Sequence, residues 1–309
     1  MARPPSVTAV IPATNGPETL ERVRAAIEAA AAPPEEILVV DEPSHAGPAA
    51  ARNAGAQRAS GEVLVFVDAD VLVHRDAFVR IRAAFESDPG LSGVFGSYDD
   101  EPAHDGTVSA FRNLLHHHVH QASPGLVMTF WAGLGAIRRD AFLGIGGFDD
   151  GYAVPSIEDV ELGLRLSDAG HRIELAPDIQ GKHLKRWTLP GMIHCDVLHR
   201  GVPWLTLLLA RGRLPAALNL RWPHRVSALA SIGLGGALAA RRYRAVVPAA
   251  ALLIALNHAF YRLLWEKLGP RKAAIGVGLH VVHHLSAVAA SPLALWVYLR
   301  TRRAAHPQL

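Results

Sequence analysis

The stretch Val63–His74, VLVFVDADVLVH, sets seven bulky apolar residues from Val63 to Leu72 around two aspartates, Asp68 and Asp70, with only Ala69 between them. A continuous apolar run of this kind reads as a strand buried on both faces of a parallel sheet. Carboxylates buried without a partner cost several kcal/mol or take up protons. Something positive must therefore meet this pair.

The neighbouring sequence supplies the rest of such a sheet. Val7–Ile11 reads as a short apolar strand and Gly16–Ala32 as a helix, stopped by Pro33–Pro34. Ile37–Val40 is a second strand ending in Asp41–Glu42, Pro48–Ala59 a second helix, and Val63–Val67 the third strand. The β-α-β-α-β order is that of a doubly wound parallel α/β sheet, in which ligands bind beyond the carboxyl ends of the strands. Asp41, Asp68 and Asp70 all fall at such ends.

The second half has another character. Of the 309 residues half are hydrophobic, and from Val226 onward they concentrate in three stretches separated by basic clusters. Ala245–Trp265 and Ala273–Leu299 are each long enough to cross a hydrocarbon core of roughly 20 residues; Val226–Ala240 is short. Two full spans and one partial segment are expected, with "RRYR" and "RTRR" on the inner side; buried core helices of a soluble domain are the alternative. The start reads as a strand with no apolar leader before it, which predicts a cytoplasmic N-terminal domain. Cys195 is the only cysteine, so neither an internal disulfide nor a cysteine metal cage is available. A net charge of +3 without a basic stripe interleaved by aromatics excludes a nucleic-acid surface and suits anionic lipid headgroups.

Five segments in order, VTAVIPATN, ILVVDEPS, GPAAARNAGAQRASGEVLVFVDADV, GLGAIRRDAFLGIGGFDDGY and IEDVELGLRLSDAGHRI, resemble the successive motifs of family 2 glycosyltransferases with a GT-A fold. The resemblance covers about residues 6–187. It implies a Rossmann-like nucleotide-sugar-binding catalytic domain over 1–187; the composition of the rest predicts an interfacial amphipathic linker over 188–224 and a membrane domain over 225–309. It also implies a nucleotide-sugar donor, UDP being the expected carrier, and a divalent cation, Mn²⁺ or Mg²⁺, for its diphosphate; such cations prefer oxygen ligands.

Residue by residue, the resemblance implies Asp70 as metal ligand and Asp68 as a contact to the ribose or to the metal's water. Asp41 would receive the base, beside Pro12, Ala13 and Thr14, although Glu42 and Pro43 depart from the family pattern. Arg52 and Asn53 match an A-R-N element lying against the donor, where an arginine can grip phosphate bidentately. Asp159 is expected as general base with Glu158 orienting the acceptor, in a single inverting displacement. Trp131 and Gly133 would line the acceptor side. The segment HLKRW has the spacing of the Q-x-x-R-W element of processive members with His183 in place of glutamine. It suggests His183 as a third metal ligand, Lys185 and Arg186 at the diphosphate and Trp187 at the acceptor, and it argues for single-sugar transfer.

Two features remain. HHHVH, His116–His120, invites a metal reading by its one-turn spacing, but without acidic or cysteine partners nearby it reads better as a polar helix face. Trp204, Leu207, Leu208, Arg211 and Arg213 have the character of a helix lying among headgroups. Together these features predict a membrane-anchored, hexosyltransferase-type enzyme acting at the inner or plasma membrane on a lipid or polyprenyl-phosphate acceptor. A processive polysaccharide synthase and an inactive transferase-like scaffold are the rivals.

Overall fold

The structure, a computed structural model, describes residues 3–44, 47–212 and 222–305. The chain divides into two compact units, Met1–His104 with His116–Lys185, and Asp105–Leu115 with Arg186–Leu309.

The first unit is built on a mixed sheet of eight strands: β1 (Val7–Pro12), β2 (Glu36–Val40), β3 (Val63–Val67), β4 (Val71–Val73), β5 (Leu91–Tyr98), β6 (Gly125–Val127), β7 (Leu134–Arg138) and β8 (Arg172–His183). Their order is β2-β1-β3-β7-β5-β8-β4, with β6 also on β8. The strands β2, β1 and β3 are parallel, as expected. Beyond them the expected all-parallel sheet gives way: β7 runs antiparallel to both β3 and β5. Its residues Leu134, Ala136 and Ile137 are as buried as those of β3, so composition carries no sign of strand direction. Val63, Val65 and Val67 join Val7, Ala9 and Ile11 in one core with Phe78 and Ile81, each large side chain worth about 1.5–3 kcal/mol of burial.

Helices α1 (Leu20–Glu28), α2 (Pro48–Arg58), α3 (Ala77–Ser87), α4 (Thr107–Gln121), α5 (Arg139–Gly144) and α6 (Glu158–Asp168) accompany the sheet sequence. Helix α1 starts four residues later than expected from Gly16. Thr19 stands at its N-cap without capping it; its hydroxyl instead donates to the carbonyl of Ala69. Helix α4 is divided between the units after Leu115.

The second unit continues with α7 (Leu189–His194), a π-helical turn (Cys195–Gly201), α8 (Val202–Arg211), α9 (Trp222–Ala239), α10 (Tyr243–Leu256) and α11 (His258–Ala305). Part of the expected interfacial linker, residues 213–221, lies outside the described residues, as does the tail after 305. The expected span Ala245–Trp265 is not one helix. Asn257 leaves the helical region, and its buried amide donates to the Leu253 carbonyl at 2.8 Å and to Ser227 Oγ at 2.9 Å. That terminates α10 after 14 residues. Within α11 the backbone breaks again at Gly269, whose φ of 73° suits a residue without Cβ. Among the described residues one helix, His258–Arg302, is long and apolar enough to cross a membrane. His283 on α11 has a charged partner: its Nδ1 lies 2.7 Å from Asp196 Oδ2, while Arg112 Nη1 donates to Asp196 Oδ1 at 2.8 Å.

Candidate active site

The two aspartates of the opening stretch sit in the turn between β3 and β4, and the turn is pinned on three sides. Asp68 N–H donates to the Gly133 carbonyl at 3.1 Å, Leu184 N–H donates to the Asp70 carbonyl at 2.8 Å, and Thr19 holds Ala69 from α1. Each carboxylate remains about a third exposed, Asp68 at 32% and Asp70 at 33%. The pair is held at the carboxyl end of the sheet and still open to a ligand.

The positive partner of Asp68 is Arg52. Its Nη2 donates to Asp68 Oδ1 at 2.6 Å and its Nη1 to Glu158 Oε1 at 2.9 Å. The guanidinium is buried, with the Phe148 ring 5.4 Å from it. Burial opposes its charge, but the charges of Asp68, Glu158 and Asp159 more than restore it, and its pKa lies above the ordinary arginine value. In this geometry both terminal nitrogens expected to grip a phosphate are already committed to carboxylates. Arg52 is a counter-ion joining α2, the Asp68 turn and the start of α6. Asn53 likewise turns inward: Nδ2 donates to the Phe148 carbonyl and Oδ1 accepts from Phe148 N–H, both at 2.8 Å.

Asp70 has a different neighbour. His183, the last residue of β8, brings Nε2 within 3.5 Å of Asp70 Oδ2. Burial would raise the Asp70 carboxyl, but His183 and the charge of the exposed Lys185 outweigh it and hold it below the usual carboxylate range. Asp68 is pushed the other way, by burial first and despite Arg52, with the charges of Asp70 and Glu158 adding to it. The expected trio of metal ligands therefore separates. Among the described residues no group of three or more His, Cys, Asp or Glu side chains converges on one point, and Asp68 faces Arg52. Asp70 and His183 offer one oxygen and one nitrogen donor. That half-shell suits a divalent cation whose remaining positions are filled by phosphate oxygens and water.

At the start of α6, Glu158 Oε2 also accepts from Ser156 N–H at 2.8 Å. Asp159 accepts from Ala132 N–H at 3.2 Å and Val160 N–H at 2.8 Å. Burial and then the Glu158 charge raise its carboxyl to about 7 against the opposing effect of Arg52, a value matched to proton transfer near neutral pH. Helix α6 packs closely enough to do this because Gly163 faces the backbone: a Cβ there would lie 2.3 Å from Phe130 N.

The other expected residues divide. Ala13 and Thr14 are buried after Pro12 at the end of β1; Ala13 N–H donates to the Val40 carbonyl at 2.8 Å, and the exposed Asp41 follows directly. Half-buried Trp131 packs edge-on to Tyr98 at 4.9 Å, and Gly133 makes room for it, since a Cβ there would lie 2.4 Å from the indole. Arg186 and Trp187 belong to the second unit. There Trp187 N–H donates to Ser109 Oγ at 2.8 Å and its ring lies 4.9 Å from the Arg112 guanidinium. His116 and His120 form no polar face; their rings pack against one another at 4.0 Å with planes tilted by 41°, and His120 is buried with Nδ1 2.9 Å from the Gly96 carbonyl. Sequence reasoning missed Tyr98, stacked on His183, and Thr19; only the position of Tyr98 at the end of an apolar strand signalled it.

Residues 21–146 match the model of the glycosyl transferase family 2. The chain is 28% identical over 162 residues to N-acetylgalactosaminyltransferase 7 of Drosophila melanogaster, covering 45% of this chain and 27% of that protein. It is 26% identical over 268 residues to the pre-mycofactocin glycosyltransferase of Mycobacterium tuberculosis, covering 77% and 53%. The chain thus spans between about a quarter and about half the length of these relatives. Among solved structures, the mannosyltransferase from Pyrobaculum calidifontis in complex with GDP-Man and Mn²⁺ superposes with a TM-score of 0.55 at 18% identity, covering 94% of this chain and 88% of that one. The fold is the GT-A glycosyltransferase fold.

Proposed function

We propose that this protein is a family 2 glycosyltransferase that moves a single sugar from a nucleotide-sugar donor to a lipid or lipid-linked acceptor, inverting the anomeric centre, with its catalytic unit on the cytoplasmic face of a membrane. The observation that carries the reading is one connected charge arrangement: Glu158–Arg52–Asp68, with Asp70 on the same turn facing His183 at the end of β8, and Asp159 beside Glu158. The family match and the glycosyltransferase relatives support a transferase enzyme.

In this reading Asp70 and His183 hold Mn²⁺ or Mg²⁺ and Lys185 adds positive charge beside the diphosphate. When bound, the cation offsets the diphosphate charge and eases departure of the nucleotide. Asp41 and the Pro12–Thr14 corner receive the base and ribose, with Asp68 held by Arg52 at the ribose side. Asp159, ionised above about pH 7, takes the proton of the acceptor hydroxyl as that oxygen attacks the anomeric carbon. The Ala132 and Val160 N–H groups fix where this carboxylate stands, and Glu158, held by Arg52, orients the acceptor beside it. Trp131 offers a ring face to the acceptor.

The lipid acceptor rests on the second unit. Helix His258–Arg302 has the length and composition of a span, and Leu229, Ile232, Val247, Ile254, Trp265 and Trp296 are exposed on α9 to α11. Arginines lie over tryptophan rings at 4.1 Å for Arg300–Trp296 and 5.4 Å for Arg225–Trp222, a pairing suited to headgroup depth.

The test is transfer by the full chain in detergent from a panel of UDP-, GDP- and dTDP-sugars, with Mn²⁺, Mg²⁺ or chelator and a membrane-lipid extract as acceptor. Metal-dependent movement of one sugar into the lipid fraction is expected. A water-soluble acceptor used equally well overturns the lipid acceptor, and no nucleotide release from any donor overturns the enzyme reading.

A further inference from the structure

The His116–His120 motif finds its place in a column of rings in the first unit. His183 stacks on Tyr98 with centroids 4.2 Å apart and planes only 7° from parallel. Tyr98 continues onto His116 at 4.1 Å, and His116 onto His120 at 4.0 Å. Trp131 closes one flank, lying 4.9 Å from Tyr98, 4.6 Å from His116 and 5.5 Å from His120. The inner end is anchored by the His120 bond to the Gly96 carbonyl and by Phe95, 5.6 Å from the His120 ring. The outer end is His183 Nε2, facing Asp70.

From this geometry we propose that Tyr98 and His116 are positioning residues for His183: the column fixes the plane of the His183 imidazole so that Nε2 is presented to a divalent cation shared with Asp70. The inference rests on the metal reading of Asp70 and His183 given above. Its physical basis is that His183 terminates β8 and, among the described residues, no carboxylate or carbonyl is hydrogen-bonded to its other nitrogen, the usual device for orienting a metal-bound imidazole. A ring stacked face to face restricts the same rotation. The electron-rich phenol face also favours the electron-poor imidazole of a metal-bound histidine, by the attraction that draws cations to aromatic faces. The spacing of His116 and His120, one helical turn apart, then serves to pack two tilted rings behind Tyr98.

The test is Mn²⁺ affinity, read by the free-ion electron paramagnetic resonance signal of the full chain in detergent with UDP or with GDP. Tyr98→Leu is expected to weaken Mn²⁺ binding by about tenfold or more, the scale of outer-shell changes at metal sites. His116→Leu, on a half-buried helix position and tolerated even if the strand variant fails to fold, should weaken it by a smaller factor. Tyr98→Phe and His116→Phe, which keep the rings, should bind within about twofold of the parent protein. Leu variants that melt normally and bind Mn²⁺ like the parent overturn the proposal, as do Phe variants that lose as much as the Leu ones. Mn²⁺ binding that ignores Asp70→Ala and His183→Ala overturns the metal reading and the column's role together. Binding that needs Asp70 and His183 but neither Tyr98 nor His116 overturns the column alone.

Discussion

Arg52 shows how a single side chain sets the chemistry of its neighbours. Its two terminal nitrogens neutralise carboxylates from two elements, so its removal leaves Glu158 buried and unpaired. Arg52→Ala should destabilise the first unit by about 3–5 kcal/mol, measured by denaturant unfolding. Arg52→Lys should recover only part, since an ammonium lacks the fork that spans both acids. Asp159 carries the complementary prediction. With its carboxyl at about 7, transfer should rise with pH through that value and level above it. The same shift acts on stability with opposite sign. The folded state holds a proton that the unfolded chain has already lost, so this stabilisation, complete below about pH 4, fades as pH rises through 7. Asp159→Asn should therefore cut transfer by about 10²–10⁴ yet melt higher than the parent at pH 8, by about 2–4 °C for an effect of about 1 kcal/mol, and the gap should close in acid. Identity of these residues was legible in the sequence; their partners were not. Asp68 and Asp70 announced a need for positive charge, but whether Arg52 or a cation answered it depends on a helix brought across the sheet, and nothing local encodes that.

At the scale of elements, the loop after α5 is the piece most dependent on distant support. Gly146 and Gly147 have φ of 86° and 72°. Arg165 on α6 donates to the carbonyls of Ile145 at 2.9 Å and Gly147 at 2.7 Å, while Asn53 on α2 clasps Phe148. Gly147→Ala forces a Cβ to within 2.5 Å of Asn53 Oδ1 in a backbone conformation that suits glycine. It should cost more than Asn53→Ala, which removes two hydrogen bonds at about 1 kcal/mol each; thermal melting of both variants checks the order. The strands and helices to Val67 could be read from periodicity because each buries a continuous apolar face. The direction of β7 and the breaks at Asn257 and Gly269 could not. A strand buried on both faces reads the same in either direction, and Asn257 acts through Ser227, thirty residues away. The apolar run Ala245–Trp265 looked continuous because one satisfied amide barely disturbs its hydropathy.

The molecule as a whole comprises a GT-A unit and a helical unit rich in exposed apolar side chains, and the proposed function divides labour among its carboxylates. In the proposed mechanism Asp70, with His183, serves the donor, and Asp159 serves the acceptor. The most direct measurement is donor binding and turnover compared in Asp70→Ala and Asp159→Asn, by calorimetric titration of the full chain in detergent with its nucleotide-sugar and Mn²⁺, followed by nucleotide release with acceptor present. Asp70→Ala should weaken donor binding by about tenfold or more and lose turnover with it. Asp159→Asn should bind the donor as the parent does while turnover falls by about 10²–10⁴. Equal loss of donor affinity in both variants, or an Asp159→Asn protein that turns over as fast as the parent, contradicts the account.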